Sequence, residues 1–288
     1  MAQNLSNFAQ RAITGTVFVA VVLASLIDPV YLRTLCLVVS VMCASEFYQM
    51  FKCDARTTPI WMLLGVLALY ISTQAYSTFE SENNKLWQLG ILGIFILGLT
   101  IAFEYKVLLN SILYRLLGLI YTTLPLMLLY ALAYPAHDTL MRIFYIDITS
   151  SCITFNSTYI FMMLLLTWSN DTFAYLIGRK IGKTPFAPII SPKKTWEGTI
   201  AGFVCTLLMA ALLSWLFFNT IELKYILWGG VVSIAATLGD LLESKMKRTT
   251  GIKDSGDLLP GHGGFLDRFD AMLLTAPLSW LFFVVWGV

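Results

Sequence analysis

Charge is what this sequence has least of. Of its 288 residues only 12% are Asp, Glu, Lys or Arg, while 58% are hydrophobic. A water-soluble domain carries roughly 25% charged residues. Half that density leaves too little polar side chain to cover a water-facing surface, so lipid has to be part of the solvent. Histidine is almost absent, with only His137 and His262, and the five cysteines (Cys36, Cys43, Cys53, Cys152 and Cys205) form no C-x-x-C pair. That argues against a zinc site and leaves the cysteines as small buried hydrophobes. Met1–Gln10 has no basic residue ahead of the first apolar run and no cleavage pattern after it, so no secretory signal peptide is expected. There is no long polar linker, no internal repeat and no low-complexity segment. The expectation is a single integral membrane domain over 1–288, with 1–150 mainly scaffold and 155–288 the part that carries chemistry. No nucleic-acid partner is expected.

What is present is a series of long apolar runs. A spanning helix needs about 20 mostly apolar residues. Runs and breakers mark about nine candidates, at 12–28, 31–50, 58–76, 86–103, 114–133, 155–178, 197–218, 222–245 and 267–287. The fold class expected is therefore all-α, a polytopic membrane helical bundle. The first run is short and stops at Asp28-Pro29, where proline ends a helix; the alternative for the first two runs is one re-entrant hairpin, which would change the count by one or two. With nine spans, fifteen of the nineteen Lys and Arg fall on the side of the N-terminus, leaving only Arg33, Lys85, Arg142 and Lys224 opposite. Cytoplasmic loops are enriched in Lys and Arg, which predicts a cytoplasmic N-terminus. Polar residues gather in two loops, 178–196 and 246–266, both on that cytoplasmic side.

Three stretches can carry chemistry. Asn170 and Asp171 lie late in the sixth run, and an ionisable residue inside a span is a functional candidate by default, the alternative being polar glue between helices. Gly178-Arg179-Lys180-Ile181-Gly182-Lys183-Thr184 mimics a P-loop but fails. It has three residues between its glycines instead of four, and an apolar helix precedes it instead of a strand. Next, Ser191-Pro192 reads as a helix N-cap and first helical residue. That would put Lys193 and Lys194 in a first turn, where an anion is favoured; the competing reading is an anchor to anionic lipid.

The richest stretch runs from Asp240 to Asp270 and holds six acids and five bases. On a helix, Asp240, Ser244 and Lys247 share a face by i, i+4, i+7 spacing. Asp267 and Asp270, three apart at the start of the last run, would share one too. Carboxylates so placed suit a hard cation such as magnesium, which takes one or two of them together with substrate phosphates. Between them Pro260–Gly264 contains three glycines, which let backbone N–H groups approach a phosphate. The alternative is that Asp267 and Asp270 only complement a helix dipole.

In this stretch the sequence resembles the phosphatidate cytidylyltransferase (CDP-diacylglycerol synthase) family. That family's pattern is Ser, one residue, an apolar residue, Lys-Arg, four residues and Lys-Asp, then Pro-x-His-Gly-Gly and Asp-Arg-apolar-Asp. This chain supplies Ser244, Met246, Lys247, Arg248, Lys253, Asp254, Pro260, His262, Gly263, Gly264, Asp267, Arg268, Phe269 and Asp270 without a departure. Ser191–Gly198 and Asn170-Asp171 are similar to further family elements. The Asp-Gly-x-x-Ala-Arg core of the CDP-alcohol phosphotransferases is absent.

The resemblance implies the reaction of CTP with phosphatidate to give CDP-diacylglycerol and pyrophosphate, in phospholipid biosynthesis. It implies magnesium, with a monovalent ion as candidate second cation, a homodimer, and Asp240 and Asp267 as the metal-binding acids. The roles expected from that chemistry place Asp240, Asp267 and Asp270 on the metal, with Asp254 as the alternative support. Lys193, Lys194, Lys247 and Arg248 would bind phosphates, and Arg268 would either meet the departing pyrophosphate or pair with an acid. Asn170, Asp171, Ser244, Lys253, Asp254, His262, Gly263 and Gly264 complete the substrate-binding set. The site is expected at the cytoplasmic helix ends, in the plasma (inner) membrane if the source is bacterial. The rivals are an enzyme acting on another lipid phosphate, a transporter for a phosphorylated metabolite, and a scaffold.

Overall fold

A computed structural model describes residues 7–78, 111–134, 155–256, 258 and 263–286. The expected span at 86–103, together with His137, Cys152, Pro260, Gly261 and His262, lies outside the described residues. The elements are helices α1 (Asn7–Ser25), α2 (Pro29–Met50), α3 (Thr58–Thr78), α4 (Ser111–Ala131) and α5 (Thr158–Ile181), then strands β1 (Pro185–Ala187) and β2 (Ser191–Thr195). Helices α6 (Trp196–Phe218), α7 (Leu223–Thr249), α8 (Leu266–Phe269) and α9 (Met272–Trp286) complete the chain. Among the described residues, six helical segments are long and apolar enough to cross a membrane: Pro29–Met50, Tyr114–Ala131, Thr158–Ile181, Trp196–Phe218, Leu223–Thr249 and Leu266–Trp286. Ala12–Ser25 and Thr58–Gln74 are shorter apolar helices. The chain is thus a polytopic helical membrane protein.

One local reading is corrected here. Ser191-Pro192 does not start a helix. Residues 191–195 form the second strand of a small antiparallel hairpin, in which Ala187 pairs with Ser191 and Pro185 with Thr195. Proline is tolerated there because a two-stranded hairpin has only edge strands. The true N-cap is Thr195, whose side chain accepts from the amide of Gly198, so Lys193 and Lys194 lie on a strand and not in a first helical turn. The first helix does stop ahead of Asp28-Pro29, and Pro29 is the first residue of α2; Asp28 caps that helix, accepting from the Val30 amide at 2.8 Å.

The chain divides into two compact units. The first comprises residues 1–130 and 246–269. Its core is where α2 meets α4: Cys36, Val39, Cys43 and Phe47 are buried, as are Leu117, Tyr121, Leu124 and Leu128. A Cβ at Gly118 would come within 2.7 Å of the Phe47 ring, so a glycine is needed for the backbone of α4 to approach that closely. Two hydrogen bonds cross the same seam, Tyr48 OH to Arg115 O at 2.9 Å and Ser40 Oγ with Thr123 Oγ1 at 3.1 Å. Lipid gives no hydrophobic push between helices, and such seams rely on small residues and interhelical hydrogen bonds.

The second unit comprises residues 131–245 and 270–288. Here α5 and α6 cross on small residues. Cβ atoms at Gly198 and Gly202 would lie 2.6 Å and 2.8 Å from the carbonyl oxygens of Ala174 and Asn170. Gly198, Gly202, Thr206 and Ala210 form one buried or half-buried stripe at four-residue spacing, while Ile200, Val204, Leu208 and Leu212 on the other side are exposed. Small inside and large outside is the pattern of a helix whose outer face meets lipid. Trp228 is fully buried and donates from Nε1 to Ser279 Oγ at 2.9 Å.

Candidate active site

The second unit brings together three carboxylates. Oxygens of Asp240, Glu243 and Asp270 all lie within 4.8 Å of one another. Asp240 and Glu243 are three apart on α7, hence on one face, and Glu243 is fully buried. Asp270 reaches them from the break between α8 and α9. The expectation that Asp267 and Asp270 share one face of a continuous helix is not met, because α8 ends at Phe269 and α9 begins at Met272. The break lies hard against α7, where a Cβ at Gly239 would sit 2.6 Å from the Asp270 carbonyl oxygen. Asp270 Oδ1 accepts from the Ala271 amide at 2.7 Å.

Asp240 also carries a lysine. Lys194 Nζ lies 2.6 Å from Asp240 Oδ2, with the side chains 26% and 38% exposed, and Ser244 Oγ donates to Asp240 Oδ1 at 3.2 Å. The strand geometry that displaced the expected helix start aims Lys194 at this acid, while Lys193 faces solvent. Glu197 holds the base of the hairpin, accepting from the amide and hydroxyl of Thr184. Asn170 is buried; its Nδ2 donates to Asp171 Oδ1 at 3.2 Å, and its Oδ1 accepts from Ser233 Oγ at 2.6 Å. Three carboxylates with oxygen donors alone are a hard donor set that suits magnesium, and Asp240, Glu243 and Asp270 could hold it.

The first unit holds a different constellation. Lys247 Nζ lies 2.6 Å from Asp267 Oδ1, with the side chains only 12% and 11% exposed. Asp267 Oδ2 accepts from the amides of Ser255 at 3.0 Å and Gly264 at 3.1 Å. Gly263 has φ +81°, a left-handed conformation that glycine adopts without strain. Arg248, Lys253, Asp254 and Arg268 are exposed, and Arg248 donates to the carbonyl of Ile252 at 3.3 Å.

A model of the cytidylyltransferase family matches residues 9–286. The chain belongs to the cytidylyltransferase family. Among its curated relatives, the phosphatidate cytidylyltransferase of Rickettsia bellii is 39% identical over 184 residues, covering 61% of this chain and 70% of that protein. The phosphatidate cytidylyltransferases of Staphylococcus haemolyticus and Staphylococcus aureus are each 46% identical over 123 residues, 42% of this chain and 46% of theirs. The match thus spans just under half the length of the staphylococcal relatives. The resemblance read from Ser244–Asp270 and the family match agree.

Two residues of this cytidylyltransferase-family chain escaped the sequence reading. Glu243 sits inside the charged stretch but was given no part; its three-residue spacing from Asp240 was the available signal. Glu46 lies in α2, far from that stretch, and is 1% exposed. The rule that marked Asp171, an ionisable group within a span, applies equally to it.

Proposed function

We propose that this chain transfers the cytidylyl group of CTP to phosphatidate, giving CDP-diacylglycerol and pyrophosphate in phospholipid biosynthesis. The observation that carries the reading is the convergence of Asp240, Glu243 and Asp270 within 4.8 Å, beside Lys194, in a chain of this family. A phosphate monoester has its second pKa near ~6, so the lipid phosphate is itself the nucleophile and no strong general base is required. One of its oxygens bonds to the α-phosphorus of CTP while the bond from that phosphorus to the bridging oxygen breaks. The electron pair leaves with pyrophosphate. Catalysis then rests on positioning and charge neutralisation.

Magnesium, when bound, supplies neutralisation of phosphate charge, and a monovalent ion is the proposed second cation. Asp240 and Asp270, with Glu243, would hold the divalent ion. Asp267 is a proposed metal-binding acid in exchange with Lys247, whose ammonium already meets its Oδ1. Lys193, Lys194, Lys247 and Arg248 are proposed to bind phosphates, and Arg268 to meet the departing pyrophosphate. Asn170, Asp171, Ser244, Lys253, Asp254, His262, Gly263 and Gly264 are the proposed substrate-binding residues.

We further propose about nine spans, a cytoplasmic N-terminus, a site at the cytoplasmic helix ends and a homodimer as the candidate assembly. Residues 1–288 are proposed as a single integral membrane domain with 155–288 catalytic, in the inner membrane if the source is bacterial. A lipid substrate suits this architecture, since its anionic head lies at the interface and its tails in the bilayer. The test is nucleotide and lipid choice by the purified protein. The expected product with CTP and phosphatidate is CDP-diacylglycerol, identified by mass spectrometry, with none from ATP. Turnover only with another lipid phosphate would move the substrate assignment, and none with any lipid would remove it.

A further inference from the structure

We propose that Glu46, on the second described helix, is a positioning residue that fixes Ser255 and the backbone at 264–266 and through them the Asp267 carboxylate. This rests on the cytidylyl-transfer reading for its catalytic meaning. Glu46 is 1% exposed in a mainly apolar helix whose other charged residue is Arg33. A buried carboxylate is costly unless its oxygens are met by donors, and here three meet them. Ser255 Oγ and the Leu266 amide both donate to Oε2 at 2.8 Å, and the Phe265 amide donates to Oε1 at 2.8 Å. All three donors come from the segment that follows α7, more than 200 residues away in the chain.

That segment holds Asp267 as well, and the two carboxylates share its parts. Ser255 gives its hydroxyl to Glu46 and its amide to Asp267 Oδ2. Gly264 gives its amide to Asp267 Oδ2 and passes so close to Glu46 that a Cβ there would overlap both Ser255 Oγ and Glu46 Oε2. Glu46 therefore acts through Ser255 and the backbone at 264–266, not on a substrate directly. Holding α2 to α8 alone would be done as well by apolar side chains of similar volume. What the carboxylate adds is a fixed orientation for two amides and a hydroxyl, and so for the acid that pairs with Lys247.

The test is Glu46→Gln in the full-length protein in detergent. Glutamine presents an N–H2 group where a carboxylate oxygen accepts, so at least one donor of the segment loses its partner. The expected result is hydrogen exchange at least about tenfold faster in the peptide covering 263–269, with exchange in α5 and α6 unchanged. In parallel, kcat should fall by about tenfold or more, the scale of one lost charge-assisted hydrogen bond, with a smaller change in the KM for CTP. Ser255→Ala, which removes one donor of three, should move both readouts the same way by less, and it decides the matter if Glu46→Gln does not fold. Unchanged exchange would overturn the proposal, as would faster exchange with kcat intact. If the wild-type protein makes no CDP-diacylglycerol, the functional reading fails. The exchange measurement still reports whether Glu46 orders the segment.

Discussion

The two acidic constellations are built on opposite plans. In the first unit Glu46 and Asp267 are each met by three donors from the protein, namely a hydroxyl, a lysine and four backbone amides between them. In the second, three carboxylates crowd within 4.8 Å; Lys194 and the Ser244 hydroxyl meet Asp240, and the Ala271 amide meets Asp270. Acids surrounded by donors hold a backbone in place. Acids gathered against one another raise local negative charge, which a cation relieves. One group is suited to shaping a segment and the other to binding what that chemistry needs.

The comparison breaks first at Asp240. Asp240→Asn should lower pyrophosphate release about 10²-fold or more, the scale of losing one key electrostatic group, with little change in thermal stability. Asp267→Asn should differ by loosening Ser255 and residues 263–266, read as faster hydrogen exchange there. Identical effects of the two variants on exchange would erase the distinction.

The lysines sharpen it next. Lys247→Met removes the partner of a mostly buried acid, and breaking such a pair costs about 3–5 kcal/mol when burial is complete; a loss of roughly 2 kcal/mol is expected at this partial exposure. Lys194→Met breaks a pair that is a third exposed and should cost no more than about 1 kcal/mol, while raising the KM for CTP. Unfolding in detergent and steady-state kinetics measure both. Gly264→Ala should cost about 1–3 kcal/mol through overpacking against Ser255 and Glu46, seen as a lower Tm. The smallest effect expected is that of Thr195→Ala, about 1 kcal/mol from loss of the α6 cap, with activity nearly retained.

Local pattern made most of the fold legible. Apolar runs gave the helices to within a few residues, as in Trp196–Phe218 against the expected 197–218, because a helix must satisfy its own backbone in lipid. The misreadings are places where two local rules compete. Ser191-Pro192 satisfies both a helix start and an edge strand, and only pairing with Ala187 decides between them. Asp267 and Asp270 have the right spacing for one helical face, but the chain breaks between Phe269 and Met272, which no residue type there announces. Of the site, the i, i+4 relation of Asp240 and Ser244 was readable and is a hydrogen bond. The pairing of Lys194 with Asp240 and of Glu46 with Ser255 was not, since spacing along the chain carries no information about partners 46 and 209 residues apart.

The central claim is that the Asp240 cluster serves lipid-dependent cytidylyl transfer. The most direct test is magnesium-dependent pyrophosphate release from CTP by purified wild-type protein and Asp240→Asn, with and without phosphatidate. The account predicts release by the wild type only when lipid and magnesium are both present, and a loss of about 10²-fold or more in the variant. Near wild-type release by a folded Asp240→Asn protein would contradict it.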